Sequence, residues 1–486
     1  MKAVPEIFIP VIMIYFVGMA LIGWYSYKKT DTMKEFLTMG GTAGALVGGF
    51  AYLSTQYSMS TFMGVPGWTW AYGYGIVGMT GTVIFSIWVP AFFVGFRLNR
   101  LGKKLNIFSV GDYFGDRYES NFARILVAVI TIVFLLPTMG AQTIGAGAIW
   151  NVFTDQPEWV GVALMAGIVT LYCLTGGIRG AILTDVVQAS MMLLTTLIFL
   201  FALILNEPGL TGANAAIAEK KVDFMSFPGT KGIMTYGWLF SQLFLWNFFT
   251  IGHPQLVTKF LAIKNTRTIL RAAIIGGFGM LFAAIFMETL GGTSTPYFPE
   301  GIEPKRLDFV VPTILSILLP ASVASLCMAG IVAAGMSTID SQLVMVAGAV
   351  SRDIYQKGMS HEKAEQKTLR LARYATLVFG FCTFLIGVLK PATIFGLILF
   401  TWGGLGMITI PLLLGLRWKR ATKQGAIASL IAGTVYHALA AKWSALAFGF
   451  HPGVPALVVT LIVIVIVSLL TPPPSEAVLK RHYQKI

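Results

Sequence analysis

The chain has 486 residues, of which 56% are hydrophobic and only 12% are charged, and its mean hydropathy is +0.75. The core of a soluble protein of this length cannot bury so much apolar side chain, so the composition excludes a soluble globular protein and indicates an integral membrane protein. The net charge of +14 would suit a nucleic-acid partner, and only its distribution along the chain can test that interpretation.

A helix needs about 20 apolar residues to cross a hydrocarbon core of roughly 30 Å. Runs such as "GVPALVVTLIVIVIVSLL" do not alternate between polar and apolar residues, so a β-barrel is rejected. We therefore predict an all-α membrane protein with a single transport domain over 1–486. Its thirteen transmembrane helices, called spans 1 to 13, are predicted at 6–27, 42–72, 75–97, 123–152, 158–177, 181–205, 233–256, 268–292, 318–348, 371–389, 391–416, 424–445 and 453–471.

The basic residues lie mainly on one side of these spans. When the spans are threaded alternately with the N-terminus outside, most of the 35 Lys and Arg fall inside, for example in "RLNRLGKK" and "RWKRATKQ". This is the positive-inside pattern, so the charge reports topology and contact with the inner leaflet, not a nucleic-acid partner. We predict an outside N-terminus, an inside C-terminus and a multi-pass position in the cell inner (plasma) membrane.

Spans 2 and 7 differ from the others because polar residues, Gly and Pro interrupt them. Span 2 contains "LSTQYSMSTFMGVPG" and span 7 contains "WNFFTIGHP". Irregular backbone is tolerated at membrane depth only where protein or a water-filled cavity satisfies it, so we predict that both helices are interrupted. The alternative is two kinked helices whose hydroxyls bond their own preceding turn.

Spans 2 and 7 are separated by five positions in the order of the spans, so each would be the first helix of a repeat of five helices. The predicted repeats cover 42–205 and 233–416, with one extra helix at 6–27 and two C-terminal helices at 424–471. An odd number of helices gives the two repeats opposite orientations in the membrane. Inverted repeats with interrupted helices are typical of secondary transporters with a site at the midplane. This symmetry is inferred from position, because the halves show no strong sequence identity.

Span 9 carries "AAGMSTIDSQL" within an otherwise apolar run. Ser337 and Thr338 are about 100° apart around a helix, and Ala334 lies one turn earlier. Their oxygens could converge on a hard cation such as Na⁺, which prefers oxygen ligands. Alternatively, both hydroxyls bond carbonyls of their own helix and serve as small packing residues.

Acidic residues within the membrane are functional-site hypotheses because burying them is costly. Only three of the 21 Asp and Glu residues fall within the predicted spans, namely Asp185, Glu288 and Asp340.

The stretch "AAGMSTIDSQL" resembles a motif of the sodium:solute symporter family. Four further stretches are similar to that family in the same order: "SMSTFMGVPGWTWAYGYG", "GGIRGAILTDVVQA", "GHPQLVTKFLA" and "TWGGLGMITIPLLLGLRWKR". The resemblance covers roughly 5–425. It implies a LeuT-type core of 5+5 inverted repeats, with one extra helix before it and two after it.

The resemblance also implies a set of ion ligands. They are the carbonyls of Ser54, Tyr57 and Ala334 and the hydroxyls of Ser337 and Thr338. Gln56 stands where the proline-transporting members have an acid, a departure that bears on the charge of the ion site and on the substrate class.

Asp185 matches a carboxylate that some members use for a second ion or for gating, and the alternative is a structural pair with Arg179 or with span 9. Asp340 points elsewhere around span 9, where inner-side backbone or Arg352 would be its partner.

The solute is expected beside the ion, between the interrupted centres of spans 2 and 7. The matching positions predict solute contacts from Ser58, Thr61, Gln142, Trp246, Asn247 and Thr250. Trp246 has packing as an alternative role, and His253 either takes part in proton coupling or caps the broken helix. The predicted cavity contains no Lys, Arg or carboxylate, which favours a small neutral, zwitterionic or monoanionic solute.

The resulting prediction is a Na⁺-coupled symporter that imports an amino acid, a pantothenate-like solute or another monocarboxylate by alternating access. A proton-coupled symporter of the same fold and a transporter-like nutrient sensor are the alternatives. Na⁺, the solute and the lipid bilayer are the expected partners, and the oligomeric state stays open. No nucleophile–base pair or metal-ligand spacing supports an enzyme, and no organic cofactor is expected.

Overall fold

The computed structural model describes residues 4–27, 32–76, 82–220, 222–232, 234–297, 303–357 and 365–484. Residues 77–81 of predicted span 3 lie outside this description. The α-helices of the described residues are α1 Pro5–Tyr27, α2 Met33–Thr38, α3 Ala45–Gln56, α4 Val65–Tyr72, α5 Phe85–Pro90, α6 Phe96–Leu105, α7 Val110–Arg117, α8 Asn121–Thr154, α9 Glu158–Leu205, α10 Gly209–Lys220, α11 Tyr236–Leu243, α12 Pro254–Ala262, α13 Thr266–Thr293, α14 Val310–Leu318, α15 Ala321–Gly348, α16 Glu365–Leu389, α17 Ile394–Leu405, α18 Thr409–Arg417, α19 Lys423–Lys442, α20 Gly453–Leu470 and α21 Glu476–Tyr483.

Eight segments of the described chain are long and apolar enough to cross a membrane as helices. They coincide with predicted spans 1, 4, 6, 8, 9, 10, 11 and 13, which confirms an all-helical, multi-span membrane protein. The other predicted spans are shorter, less apolar or interrupted. The total of thirteen spans and their sidedness stay predictions.

Predicted spans 5 and 6 join in one element, α9, at a sharp change of direction. Gly177 has φ 54° and ψ −150° there, outside the helical region. A Cβ at this position would lie 2.5 Å from the Phe36 ring, so both the backbone angle and the space favour glycine.

Span 2 is interrupted at its centre, as the sequence predicts. Helix α3 ends at Gln56, and Tyr57 is extended with φ −92° and ψ 128°. A π-helical turn over Ser60–Gly64 follows, and α4 completes the crossing. The change of backbone direction leaves carbonyls at the end of α3 without their usual helical partners. The alternative of a merely kinked helix is wrong here.

Span 7 is interrupted as well. A π-helical turn over Phe244–Phe248 and a 3₁₀ turn over Phe249–Gly252 follow α11. His253 is extended, with φ −79° and ψ 108°, and Pro254 begins α12. The residue before a proline disfavours the helical region, so the local sequence accounts for the break.

Helix α15 lies at the centre of the fold and is buried along nearly its whole length. It packs against α9, α8, α1 and α3, so it faces the interrupted span 2 on one side. Helix α13 covers α3 and α4 through small residues. At Gly291, an added Cβ would lie 2.1 Å from the carbonyl oxygen of Pro66. Such close backbone approach is how membrane helices gain packing energy.

We predict that Gly291→Ala destabilises the protein, because α13 would have to move away from α4. Overpacking of this kind costs about 1–3 kcal/mol. Thermal unfolding in detergent should show a lower midpoint for Gly291→Ala. The matched control is Gly167→Ala, where a Cβ meets nothing within 4 Å, and its midpoint should not fall. Equal midpoints for the two variants would contradict the packing argument.

Candidate functional site

The residues predicted as ion ligands meet where α15 crosses the break in span 2. The Ser337 Oγ lies 2.8 Å from the carbonyl oxygen of Ser54 and 3.0 Å from that of Ala334. The Thr338 Oγ1 lies 3.1 Å from the Ala334 carbonyl and 3.5 Å from the carbonyl of Tyr57. The structure thus brings all five predicted residues together in a fully buried place.

These oxygens are the kind of donor set that Na⁺ prefers. Three are backbone carbonyls and two are hydroxyls, and each hydroxyl already points toward a carbonyl. A hydroxyl has two lone pairs as well as its hydrogen, so it can face a cation after rotating its hydrogen away. Both hydroxyls bond the Ala334 carbonyl of their own helix, as the packing alternative predicts, and their role as ion ligands stays a prediction.

Asp185 has a buried partner that the sequence did not predict. Its Oδ1 accepts a 2.7 Å hydrogen bond from Ser54 Oγ. Its Oδ2 forms an ion pair with Lys259 and accepts a 2.6 Å hydrogen bond from Nζ. The Asp185 and Lys259 side chains are 0% and 1% exposed. Arg179 instead lies 4.0 Å from Glu35, so the alternative of an Asp185–Arg179 pair is wrong, and the structural partners of Asp185 are Lys259 and Ser54. A second-ion or gating role for Asp185 stays a prediction.

Lys259 is a buried basic residue near the predicted ion site that the sequence analysis did not single out. It lies in α12, just beyond the predicted end of span 7, and Asp185 joins it to Ser54 of the predicted ion site. The available signal was the apolar run "FLAI" directly after it, because a lysine between apolar segments is expensive unless paired.

Asp340 is held by hydroxyls within the core of the protein. Its Oδ2 accepts from Tyr172 Oη at 2.9 Å and from Thr184 Oγ1 at 3.3 Å, and its Oδ1 accepts from Ser341 Oγ at 3.1 Å. The expected bond to Arg352 is wrong, because that guanidinium pairs with Asp112 at 2.7 Å.

Gln142 is the predicted solute residue that contacts the break in span 2 directly. Its Oε1 accepts a 2.9 Å hydrogen bond from the backbone N–H of Met59. Nearby, Ser58 Oγ accepts from the N–H of Ser60 at 3.1 Å, and Thr61 is half-buried. Side chains thus satisfy donors that the broken helix leaves without helical partners.

The predicted solute residues of span 7 form a second group. Trp246 lies against Trp402, with ring centroids 4.6 Å apart, and parallel to Phe395 at 6.4 Å. Asn247 Nδ2 donates to Thr82 Oγ1 at 3.2 Å. Thr250 donates to the carbonyl of Asn247 within its own turn.

Phe395 connects the two groups. Besides stacking on Trp246, it lies close to Gly64 of span 2, where an added Cβ would be 3.3 Å from the Phe395 Cβ. The packing alternative for Trp246 therefore holds in this structure, and its ring also borders the region between the two breaks.

His253 does not cap α12 with its side chain, although it occupies the N-cap position. Its Nε2 lies 3.3 Å from the carbonyl oxygen of Trp402, and its ring lies edge-on to the Trp402 ring at 4.4 Å. His253 thus caps the broken helix through its backbone carbonyl, which accepts from the N–H of Leu256 and Val257, while its ring turns toward α17.

Several buried polar atoms at the two breaks have no hydrogen-bond partner among the described residues. They are Gln56 Oε1, Ser60 Oγ, Asn247 Oδ1 and Gln255 Oε1. Buried polar groups are almost always satisfied by protein, water or a bound molecule. These atoms therefore mark places where a ligand or water can bind. Gln255 was not singled out by the sequence, although it directly follows the His-Pro break.

An all-helical membrane fold with two interrupted helices and an oxygen cluster at one break is the architecture of a secondary transporter. Residues 36–433 match the sodium:solute symporter family. The chain belongs to the sodium:solute symporter family and is a Na⁺-coupled solute transporter, not an enzyme.

Two relatives match nearly the full length. A sodium/pantothenate symporter of Escherichia coli (strain K12) is 27% identical over 462 residues, which are 94% of this chain and 95% of that protein. A high-affinity proline transporter of Bacillus subtilis (strain 168) is 27% identical over 472 residues, covering 95% and 97% of the two chains.

Solved structures share the fold. A Na⁺-coupled sialic acid symporter in a substrate-bound outward-open state has a TM-score of 0.83 at 21% identity, covering 97% of this chain and 99% of that one. A nucleobase-cation-symport-1 family transporter in a closed conformation has a TM-score of 0.60 at 13% identity, covering 92% and 97%.

We predict that Lys259→Met and Asp185→Asn each destabilise the protein by about 3–5 kcal/mol, because either change leaves a buried charge or dipole without its partner. The double variant should lose less than the sum of the two single losses. The measurement is the unfolding free energy in detergent for the wild type, both single variants and the double variant. Lys259→Arg, which keeps the charge, is the control. Strictly additive losses would contradict the ion pair.

Proposed function

We propose that this protein imports a small organic solute together with Na⁺ by alternating access. The solute is an amino acid, a pantothenate-like molecule or another monocarboxylate. The observation that carries the proposal is the convergence of the Ser337 and Thr338 hydroxyls on carbonyls that the break in span 2 sets free.

The proposed ion site couples the two ligands because it lies at the break that also borders the solute region. Na⁺ between α15 and span 2 would fix the break in one geometry and raise the affinity for solute. By linkage, solute raises the affinity for Na⁺ by the same factor. One charge moving through 100 mV supplies about 2.3 kcal/mol, enough for roughly 50-fold accumulation before any Na⁺ gradient is added.

The chemistry between the two breaks supports a small solute with both polar and apolar parts. Gln56, Asn247 and Gln255 offer buried amide oxygens, which accept hydrogen bonds from an amine, amide or hydroxyl. Trp246 and Phe395 supply apolar surface. A solute carboxylate would be balanced by the bound Na⁺ and the N-terminal ends of the half-helices. The pantothenate and proline relatives handle solutes of this type by name.

We further propose that a single Na⁺ accompanies each solute. Asp185 would be the natural ligand for a second cation, but Lys259 already neutralises it at 2.6 Å. A Na⁺ placed about 4 Å from that ammonium would meet a repulsion of about 4 kcal/mol at an effective dielectric constant of 20. The ammonium group of Lys259, which is covalently part of the protein, thus takes the place of a second Na⁺.

The ion-site prediction concerns Ser337→Ala and Thr338→Ala. Each variant removes one oxygen ligand, so the Na⁺ concentration for half-maximal uptake should rise about 10-fold, corresponding to about 1.4 kcal/mol. Uptake of labelled proline, pantothenate and other monocarboxylates into proteoliposomes measures the effect. Ser325→Ala is the matched control, because its hydroxyl bonds the Ala321 carbonyl elsewhere on α15. Wild-type uptake that proceeds equally without Na⁺ would overturn the proposal.

The stoichiometry prediction concerns the Na⁺ dependence of the same uptake. The Na⁺ dependence of wild-type uptake should have a Hill coefficient close to one. For a neutral solute, one positive charge should enter with each solute molecule. In Lys259→Met, Asp185 loses its tethered cation and can take Na⁺, so the coefficient should rise toward two. A wild-type coefficient near two would show that a second Na⁺ binds beside Lys259 and would contradict the single-ion proposal.

A further inference from the structure

A positively charged cavity lies at the predicted inner end of the protein, and none of the residues that line it belongs to the predicted ion site. Its volume is about 410 Å³. It is lined by three arginines, two phenylalanines and the end of α21, namely Arg97, Arg100, Arg417, Phe92, Phe96, Tyr483 and Gln484. All of these lining residues are described, and no carboxylate is among them. We call this cavity the inner arginine pocket.

Backbone contacts hold two of the arginines in place. Arg417, the last residue of α18, donates from Nη2 to the carbonyl oxygens of Phe92 and Phe93 at 2.9 and 3.2 Å. These carbonyls belong to the π-helical turn that follows Pro90. Arg97 Nη2 donates to a backbone carbonyl of α21 at 3.1 Å. The guanidiniums are therefore positioned by the fold, and their mutual repulsion favours an anion between them.

The guanidinium of Arg97 also lies over the Tyr483 ring, 4.6 Å from its centroid. The pocket is thus built where α6, α18 and α21 meet. An anion bound there would join three elements that are distant in sequence.

An apolar aromatic surface adjoins the charged part of the pocket. Phe92 and Phe93 are 49% and 44% exposed, and the Trp88 ring stacks on Phe92 with centroids 5.6 Å apart. Trp88 is of a residue type enriched at the membrane–water interface, and the exposed phenylalanine rings offer an apolar surface to lipid acyl chains. The positive-inside pattern predicts that this end lies at the inner leaflet. A ligand that fills both parts must carry an anionic head and a hydrophobic tail.

We propose that the inner arginine pocket binds the phosphate headgroup of an anionic phospholipid of the inner leaflet, with an acyl chain along Phe92 and Phe93. Guanidinium groups bind phosphate oxygens through charge-assisted, often bidentate hydrogen bonds. Basic pockets between membrane helices on the cytoplasmic side are suited to such headgroups. The bound lipid fastens the inner end of α18 to α6 and α21. This inference does not depend on which solute or ion is transported.

The test uses the purified full-length protein in a neutral detergent. Phosphatidylglycerol, phosphatidylcholine with the same acyl chains, and inorganic phosphate are added separately. Native mass spectrometry counts retained lipid, and thermal unfolding reports stabilisation. Phosphatidylglycerol should be retained and raise the midpoint by several degrees, whereas phosphatidylcholine should do neither. Equal effects of the two lipids would overturn a headgroup site. Inorganic phosphate acting as well as phosphatidylglycerol would overturn the lipid assignment in favour of a simple anion site.

Variants locate the binding. Arg97→Gln/Arg417→Gln should weaken phosphatidylglycerol retention at least 10-fold. The matched control is Arg370→Gln/Arg420→Gln, which removes two basic charges outside the pocket, and it should bind as the wild type does. If the first double variant does not fold, Arg100→Gln, which changes an exposed lining residue, should still show a several-fold loss. Equal loss in pocket and control variants would mean nonspecific charge attraction and would overturn the proposal.

Discussion

A broken helix is tolerated inside a membrane protein only where its backbone polar groups find partners within the protein, and this constraint governs the break in span 2. The helix stops at Gln56, and the carbonyls of Ser54 and Tyr57 lose regular helical partners. Hydroxyls of α15 lie against those carbonyls, at 2.8 Å for Ser337. The contacts that satisfy these backbone carbonyls also assemble an oxygen cluster suited to a cation.

Electrostatics at this depth explain why Lys259 and Asp185 occur together. Either charge alone would be costly in a nearly dry interior, whereas the pair is neutral and its geometry is close. Such a pair adds little net stability compared with an apolar core, whereas loss of either partner alone would leave the other charge buried without compensation. In the single-ion proposal, this pair, which Asp185 joins to Ser54, is what excludes a further cation.

The sequence predicted what depends on local spacing and on the family resemblance. The polar and Pro-rich centres of spans 2 and 7 predicted both breaks, and Ala334, Ser337 and Thr338 are brought together as expected. Partners that are far apart in sequence were not predicted. Asp185 and Lys259 are 74 residues apart, and nothing local to Asp185 distinguishes Lys259 from Arg179 as its partner. The contact of His253 with Trp402 of α17 was not predicted either, because only tertiary packing brings these two residues together.

Ser54 connects the two interrupted spans through its two oxygen atoms. Its carbonyl faces Ser337, and its hydroxyl donates to Asp185, which in turn holds Lys259 of α12. Helix α12 begins directly after the break in span 7. The proposed cation at the Ser54 carbonyl would therefore contact the same residue whose hydroxyl bonds the Asp185–Lys259 pair. Any change that ion binding imposes on Ser54 must be accommodated by that pair or by the break at His253. In the proposed mechanism, this contiguous set of contacts is the route by which ion and solute would affect each other's affinity.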